Sequence, residues 1–97
     1  MKSTNEYLTL LRQYMDSHAG KYGIVRMGIF GSVARGEQTE NIDVDFCFEA
    51  PAPNLLTLAR IKFELEALLG SRVDLVRLRD RMDEYLKRNI EKEALYV

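Results

Sequence analysis

The chain has 97 residues, 46% of them hydrophobic and 30% charged, with a formal net charge of −1. That length supports one small core, and the near-neutral charge argues against a broad nucleic-acid footprint, so nucleic acid is not the expected partner. The lone cysteine, Cys47, cannot form an internal disulfide and fits a reducing cytoplasm; no apolar run is long enough for a membrane span.

In chain order, Tyr7, Leu8, Leu11, Tyr14 and Met15 fall on one face of a helix predicted over residues 4–18, with Ser3 or Thr4 as its cap. Its acidic, amphipathic character does not match a signal peptide. Gly20 and Gly23 are expected to break it. Residues 24–30 read as a mostly buried strand, and Gly28 inside it predicts the close approach of another backbone or a ligand. Gly31 and Ser32 end that strand, Ser32 to Arg35 can form one helical turn, and residues 37–41 read as loop.

Residues 43–49 alternate. Asp43, Asp45 and Cys47 share one face; Val44, Phe46 and Phe48 share the other, toward the main apolar layer. Asn54 and Gly70 bracket a helix with Leu55, Leu58, Ile61, Leu65, Leu68 and Leu69 at helical spacing. A third strand covers residues 72–76, with Asp74 facing away from Val73 and Leu75. A last helix is predicted from about Asp80 to Glu91, with Met82, Tyr85, Leu86 and Ile90 on its apolar side, and residues 94–97 suit a short edge strand. The expected fold class is α/β (α+β): a small mixed sheet of three to four strands flanked by helices, in one domain over residues 1–97.

Two carboxylates at i and i+2 of a strand lie ~6.5–7 Å apart along the chain and repel each other. That spacing lets both reach one divalent cation, or hold two close together. Hard oxygen ligands select Mg²⁺ or Mn²⁺, and Mg²⁺ sites combine one or two carboxylates with substrate phosphate oxygens. Asp74 can add a third carboxylate, and Gly31-Ser32 offers a close backbone approach and a hydroxyl to an anion. No Gly-Lys-Ser/Thr follows, so the turn is not a P-loop. Phosphate cradle and carboxylate cluster together form the apparatus of two-metal nucleotidyl transfer.

Each feature also has a plain reading. Asp43 and Asp45 fit a solvated face that deters edge pairing, Asp74 fits an acid paired with Arg72 or Arg77, and Arg35 fits a surface pair with Glu37 or Glu40. His18 fits a helix-end charge or a surface residue, and Cys47 a small buried side chain. Residues 77–81 fit a salt-bridged surface, and Tyr7, Tyr14 and Tyr85 fit core or interface positions.

Gly31-Ser32, ten residues, then Asp43-Val44-Asp45, with Asp74 downstream, resembles the signature of the DNA polymerase β-like nucleotidyltransferase superfamily. The fuller GSVARG followed by DVD is most similar to its minimal nucleotidyltransferase domain proteins, and the similarity covers nearly the whole chain. The resemblance implies the nucleotidyltransferase fold, with Gly31, Ser32 and Arg35 binding nucleotide, and Asp43, Asp45 and Asp74 both binding Mg²⁺ and carrying catalysis. Ile42 departs from the small polar residue often found before the first aspartate. The resemblance further implies a HEPN-domain toxin as partner, silenced when AMP is moved from ATP to one of its tyrosines. Two alternatives stay open: an antitoxin that neutralises its partner by binding alone, and a nucleotidyltransferase acting on a small molecule or RNA. Apolar residues of the first and last helices suit a core, a homo-oligomer or a partner.

Overall fold

The computed structural model describes residues 2–97. Helix α1 spans Thr4–Tyr22. Ser3 caps it through a full capping box: its hydroxyl accepts from the Glu6 N–H at 3.2 Å, and the Glu6 carboxylate accepts from the Ser3 N–H at 3.0 Å. Gly20 does not break this helix, contrary to the sequence expectation. The left-handed conformation that ends it belongs to Gly23, at φ 69°, and a mid-helix glycine costs only about 1 kcal/mol. The added turn brings Tyr22 alongside Tyr14, and both hydroxyls donate to the Glu64 carboxylate at 3.1 and 3.0 Å. His18 stacks on Tyr14 at 4.3 Å between ring centres.

Strand β1 is Arg26–Phe30, two residues shorter at its start than expected. Strand β2 is Val44–Glu49, with Asp43 just outside it, and helix α2 is Leu55–Leu69, ending at Gly70. Asn54 caps α2, accepting from the Thr57 N–H at 2.8 Å. Strand β3 is Val73–Arg77, displaced by one residue from the expectation. Helix α3 is Glu84–Glu93, and β4 is Leu95–Tyr96. The expected start of α3 near Asp80 is wrong: two aspartates compete as caps, and it is Asp83 that accepts from the Leu86 N–H. Tyr85, expected on the apolar side, is 76% exposed.

The sheet order is β3-β2-β1-β4. β2 and β3 run parallel, and both pairings of β1 are antiparallel, so the sheet is mixed. The period-two alternation splits it into two faces. Met27, Ile29, Val44, Phe46, Phe48 and Val73 pack under Leu11, Ile61, Leu65 and Leu69 of α1 and α2. Burying side chains the size of Phe46 or Phe48 contributes roughly 1.5–3 kcal/mol each. On the other face Phe30 and Cys47 pack with Ile90 of α3 in a smaller core. That core covers only part of its face. Beyond it, at the end where β2 and β3 begin, the sheet presents aspartates.

Candidate active site

The register fixes the arrangement. In the parallel pair, Asp45 is the direct partner of Asp74, and in the antiparallel pair it faces Phe30, the residue before Gly31. Phe46 and Leu75 follow in register on the core-facing side, which turns both carboxylates the opposite way. Adjacent strands stand ~4.8 Å apart, so the two acids sit close enough to repel strongly. Burial, then Asp74, then Asp43 push the Asp45 carboxyl up from its ordinary 3.8 to about 6, against a smaller opposing pull from Arg35. Asp43 lies with Arg72 instead: its Oδ1 is 3.1 Å from Arg72 Nε. That separation suits an ion pair, but the N–H alignment does not satisfy the oxygen, which is buried with no hydrogen bond. Asp74 forms no ion pair among the described residues, so the pairing with Arg72 or Arg77 of its plain reading is not found.

Gly31 carries φ 74°, and a Cβ there would collide with Asp45 Oδ2. The glycine is thus required twice, by its left-handed backbone and by the carboxylate resting against it. The turn over residues 31–36 closes with Arg35 N–H to Gly31 O at 3.1 Å and Glu37 N–H to Ser32 O at 2.8 Å. Val33 is buried in the main core, and its carbonyl accepts from the Thr4 hydroxyl at 2.6 Å. The start of α1 therefore holds the turn against the sheet. Ser32 is half-buried beside it.

Arg35 is ion-paired to Glu37, as its plain reading anticipated, with Nε 3.1 Å from Oε1. Its second partner was not legible in sequence. Nη1 lies 2.9 Å from both oxygens of Glu93, in the last turn of α3, and Glu93 Oε2 also accepts from the Gly31 N–H at 3.3 Å. Nothing local in the sequence points to contacts across 58 and 62 residues.

The fit to Mg²⁺ is of a particular kind. Among the described residues no three His, Cys, Asp or Glu side chains close on one ion position. The donors are nevertheless hard oxygens: one buried carboxylate oxygen without a hydrogen bond, and a carboxyl raised by its neighbours. Such a set, with the Asp45 carboxyl raised first by burial and then by Asp74 and Asp43, suits an ion that takes one or two carboxylates and completes its shell with phosphate oxygens. A cavity of about 670 Å³ lies between α3 and the far ends of the strands and includes none of the six predicted residues. Asp74 lines a smaller cleft of about 310 Å³ with Leu58, Lys62 and Arg77. No helix among the described residues is long and apolar enough to cross a membrane.

The family profile described as "Nucleotidyltransferase domain" matches residues 8–97. The protein adenylyltransferase MntA of Thermococcus cleftensis is 33% identical over 98 residues, covering all of this chain and 98% of that one. A solved structure named for a minimal nucleotidyltransferase superposes with TM-score 0.78 at 38% identity, over 97% of this chain and 95% of that one. The complex of a tri-AMPylated Shewanella oneidensis HEPN toxin with an MNT antitoxin contains a chain of the same fold, with TM-score 0.60 at 21% identity, over 96% of this chain and 66% of that one. With its α+β sheet and its Gly31-Ser32 turn beside Asp43 and Asp45, the chain belongs to the nucleotidyltransferase domain family, as an enzyme of the minimal nucleotidyltransferase group.

Proposed function

We propose that this enzyme transfers AMP from ATP, with Mg²⁺, to a tyrosine hydroxyl of a HEPN-type partner toxin, and so acts as that toxin's antitoxin in the cytoplasm. The observation that carries the reading is the in-register pair Asp45 and Asp74, set against a left-handed glycine turn on which the Asp45 carboxylate rests. A binding module has no physical need for two carboxylates held together at a cost, whereas phosphoryl chemistry does. The names of the full-length relative and of the HEPN complex support the choice of AMP and of acceptor.

In this reading Gly31 lets the backbone pass close to the phosphates, Ser32 offers them its hydroxyl, and Arg35 balances their charge. Asp43 and Asp45 hold Mg²⁺, and Asp74 completes the set. Held by Asp43, Asp45 and Asp74, Mg²⁺ would supply charge neutralisation at the phosphate oxygens and acidification of the acceptor hydroxyl. Asp74, without an ion pair among the described residues, takes the proton as the hydroxyl oxygen bonds to the α-phosphorus. The bond from that phosphorus to the β-phosphate oxygen breaks, and its electron pair leaves with pyrophosphate.

Purified chain, HEPN-type partner, ATP and Mg²⁺ are incubated together and the partner is weighed by mass spectrometry. The expected product is a partner heavier by one or more adenylate groups, absent with Asp43→Ala/Asp45→Ala. Equal masses with the wild-type and the double variant would refute the transfer. Neutralisation that persists without nucleotide would assign the chain to stoichiometric binding instead.

A further inference from the structure

Glu93 stands in an unfavourable place. It lies in the last turn of α3, where the helix carbonyls already concentrate negative charge, and close enough to Asp45 to add to the repulsion on that carboxyl. A fourth acid beside three aspartates is a local conflict, and such conflicts gather where function demands them. Two contacts offset it. Both Glu93 oxygens receive Arg35 Nη1 at 2.9 Å, and Oε2 also receives the Gly31 N–H at 3.3 Å.

One carboxylate thereby ties together the two nucleotide-binding positions of the turn that lie four residues apart. Gly31 fixes where the backbone passes Asp45. Arg35 is the cation near enough to act on Asp45. Without Glu93, Arg35 keeps only Glu37, an exposed partner on its own turn, and exposed pairs of this kind hold a side chain weakly. The Gly31 N–H loses its only side-chain acceptor among the described residues. The body of α3 has its own anchor in Ile90, buried in the second core, so helix and cradle can be separated by mutation.

We propose that Glu93 is a positioning residue for nucleotide binding, acting through Gly31 and Arg35 to hold the phosphate cradle against Asp45. The assignment rests on the nucleotide reading given above. Its function is geometric, and a neutral carbonyl acceptor in the same place would serve nearly as well as the carboxylate.

The test compares wild-type, Glu93→Ala and Glu93→Gln by calorimetric titration with Mg²⁺-ATP, with thermal melting and the Gly31 amide NMR signal recorded for each. Glu93→Ala is expected to weaken ATP binding on the order of tenfold, as for donors left without their hydrogen-bond acceptor, with the Gly31 amide displaced. Glu93→Gln is expected to stay within about twofold of the wild-type, since its carbonyl still accepts from both donors. Melting temperatures should agree for all three, which a merely structural role would not allow. A wild-type that binds ATP beside a Glu93→Ala that binds equally or more tightly overturns this proposal alone. Equal weakening by both variants also overturns it, since charge rather than geometry would then be responsible. A wild-type that binds no Mg²⁺-ATP overturns the nucleotide reading and this proposal together.

Discussion

Asp45→Asn should stabilise the fold while removing transfer, and the size of the gain follows from the site. The native Asp45 carboxyl titrates near 6 against an ordinary 3.8. At 1.36 kcal/mol per pH unit that difference corresponds to at most about 3 kcal/mol, and solvent at this half-buried rim reduces it to about 1–2 kcal/mol. The folded state holds the proton more tightly than the unfolded chain does. The stability linked to this group is therefore fully present below about pH 4 and lost as pH rises through about 6. Above pH 7 the ionised Asp45 is a burden that asparagine lacks. Urea unfolding of the wild-type and Asp45→Asn across pH 4 to 8 follows the effect, which includes the relief of Asp74 and Asp43 from the charge of Asp45. The variant should match the wild-type near pH 4 and exceed it by about 1–2 kcal/mol at pH 8, which for a chain this small shifts melting by roughly 4–16 °C. A difference that is flat with pH, or a variant less stable at pH 8, would refute the account of Asp45 as a carboxyl raised by burial and by Asp74.

Gly31→Ala should cost about 1–2 kcal/mol from its left-handed backbone alone, and more from the collision with Asp45 Oδ2; thermal melting and the transfer assay should both fall, and an unchanged melt would show that the carboxylate moves aside freely. Gly28→Ala places a Cβ 2.8 Å from Tyr96 Cδ1 and 2.9 Å from the Leu95 carbonyl oxygen. That overpacking should cost about 1–3 kcal/mol and release β4. The Val97 N–H, now bonded to Met27 O at 3.1 Å, should exchange with solvent faster; preserved protection would refute the account of this glycine.

Much of this was readable along the chain. Asn54 and Gly70 mark α2 because their chemistry is local: a side-chain cap at one end, a left-handed residue at the other. The alternation over residues 43–49 separates core from acids because strand period is local too. Gly28 was expected to meet another backbone, and β4 is the strand that meets it. The errors arose where two local candidates competed, Gly20 with Gly23 and Asp80 with Asp83, and packing made the choice. Tyr85 has an apolar helical spacing, but the second core ends at Leu86 and leaves it in solvent. The triangle of Gly31, Arg35 and Glu93 and the alignment of Asp45 with Asp74 exist only in three dimensions. Sequence supplied the acids; the strand register made them neighbours.

That register makes the interior a proofreader of the chemistry. The Glu66 carboxylate accepts from the Val73 N–H at 3.0 Å, and the Val44 N–H reaches the Arg72 carbonyl at 2.9 Å, pinning β3 at its first residue. A slip of one position would turn Asp74 inward among Phe46 and Leu65 and expose Val73 and Leu75 to water. A chain folded with its strands misaligned would thus lose its oily interior at the same moment as its acids. Faulty copies of this enzyme should be unstable and inactive together, so cellular quality control that senses exposed apolar surface would also remove molecules unable to do the reaction.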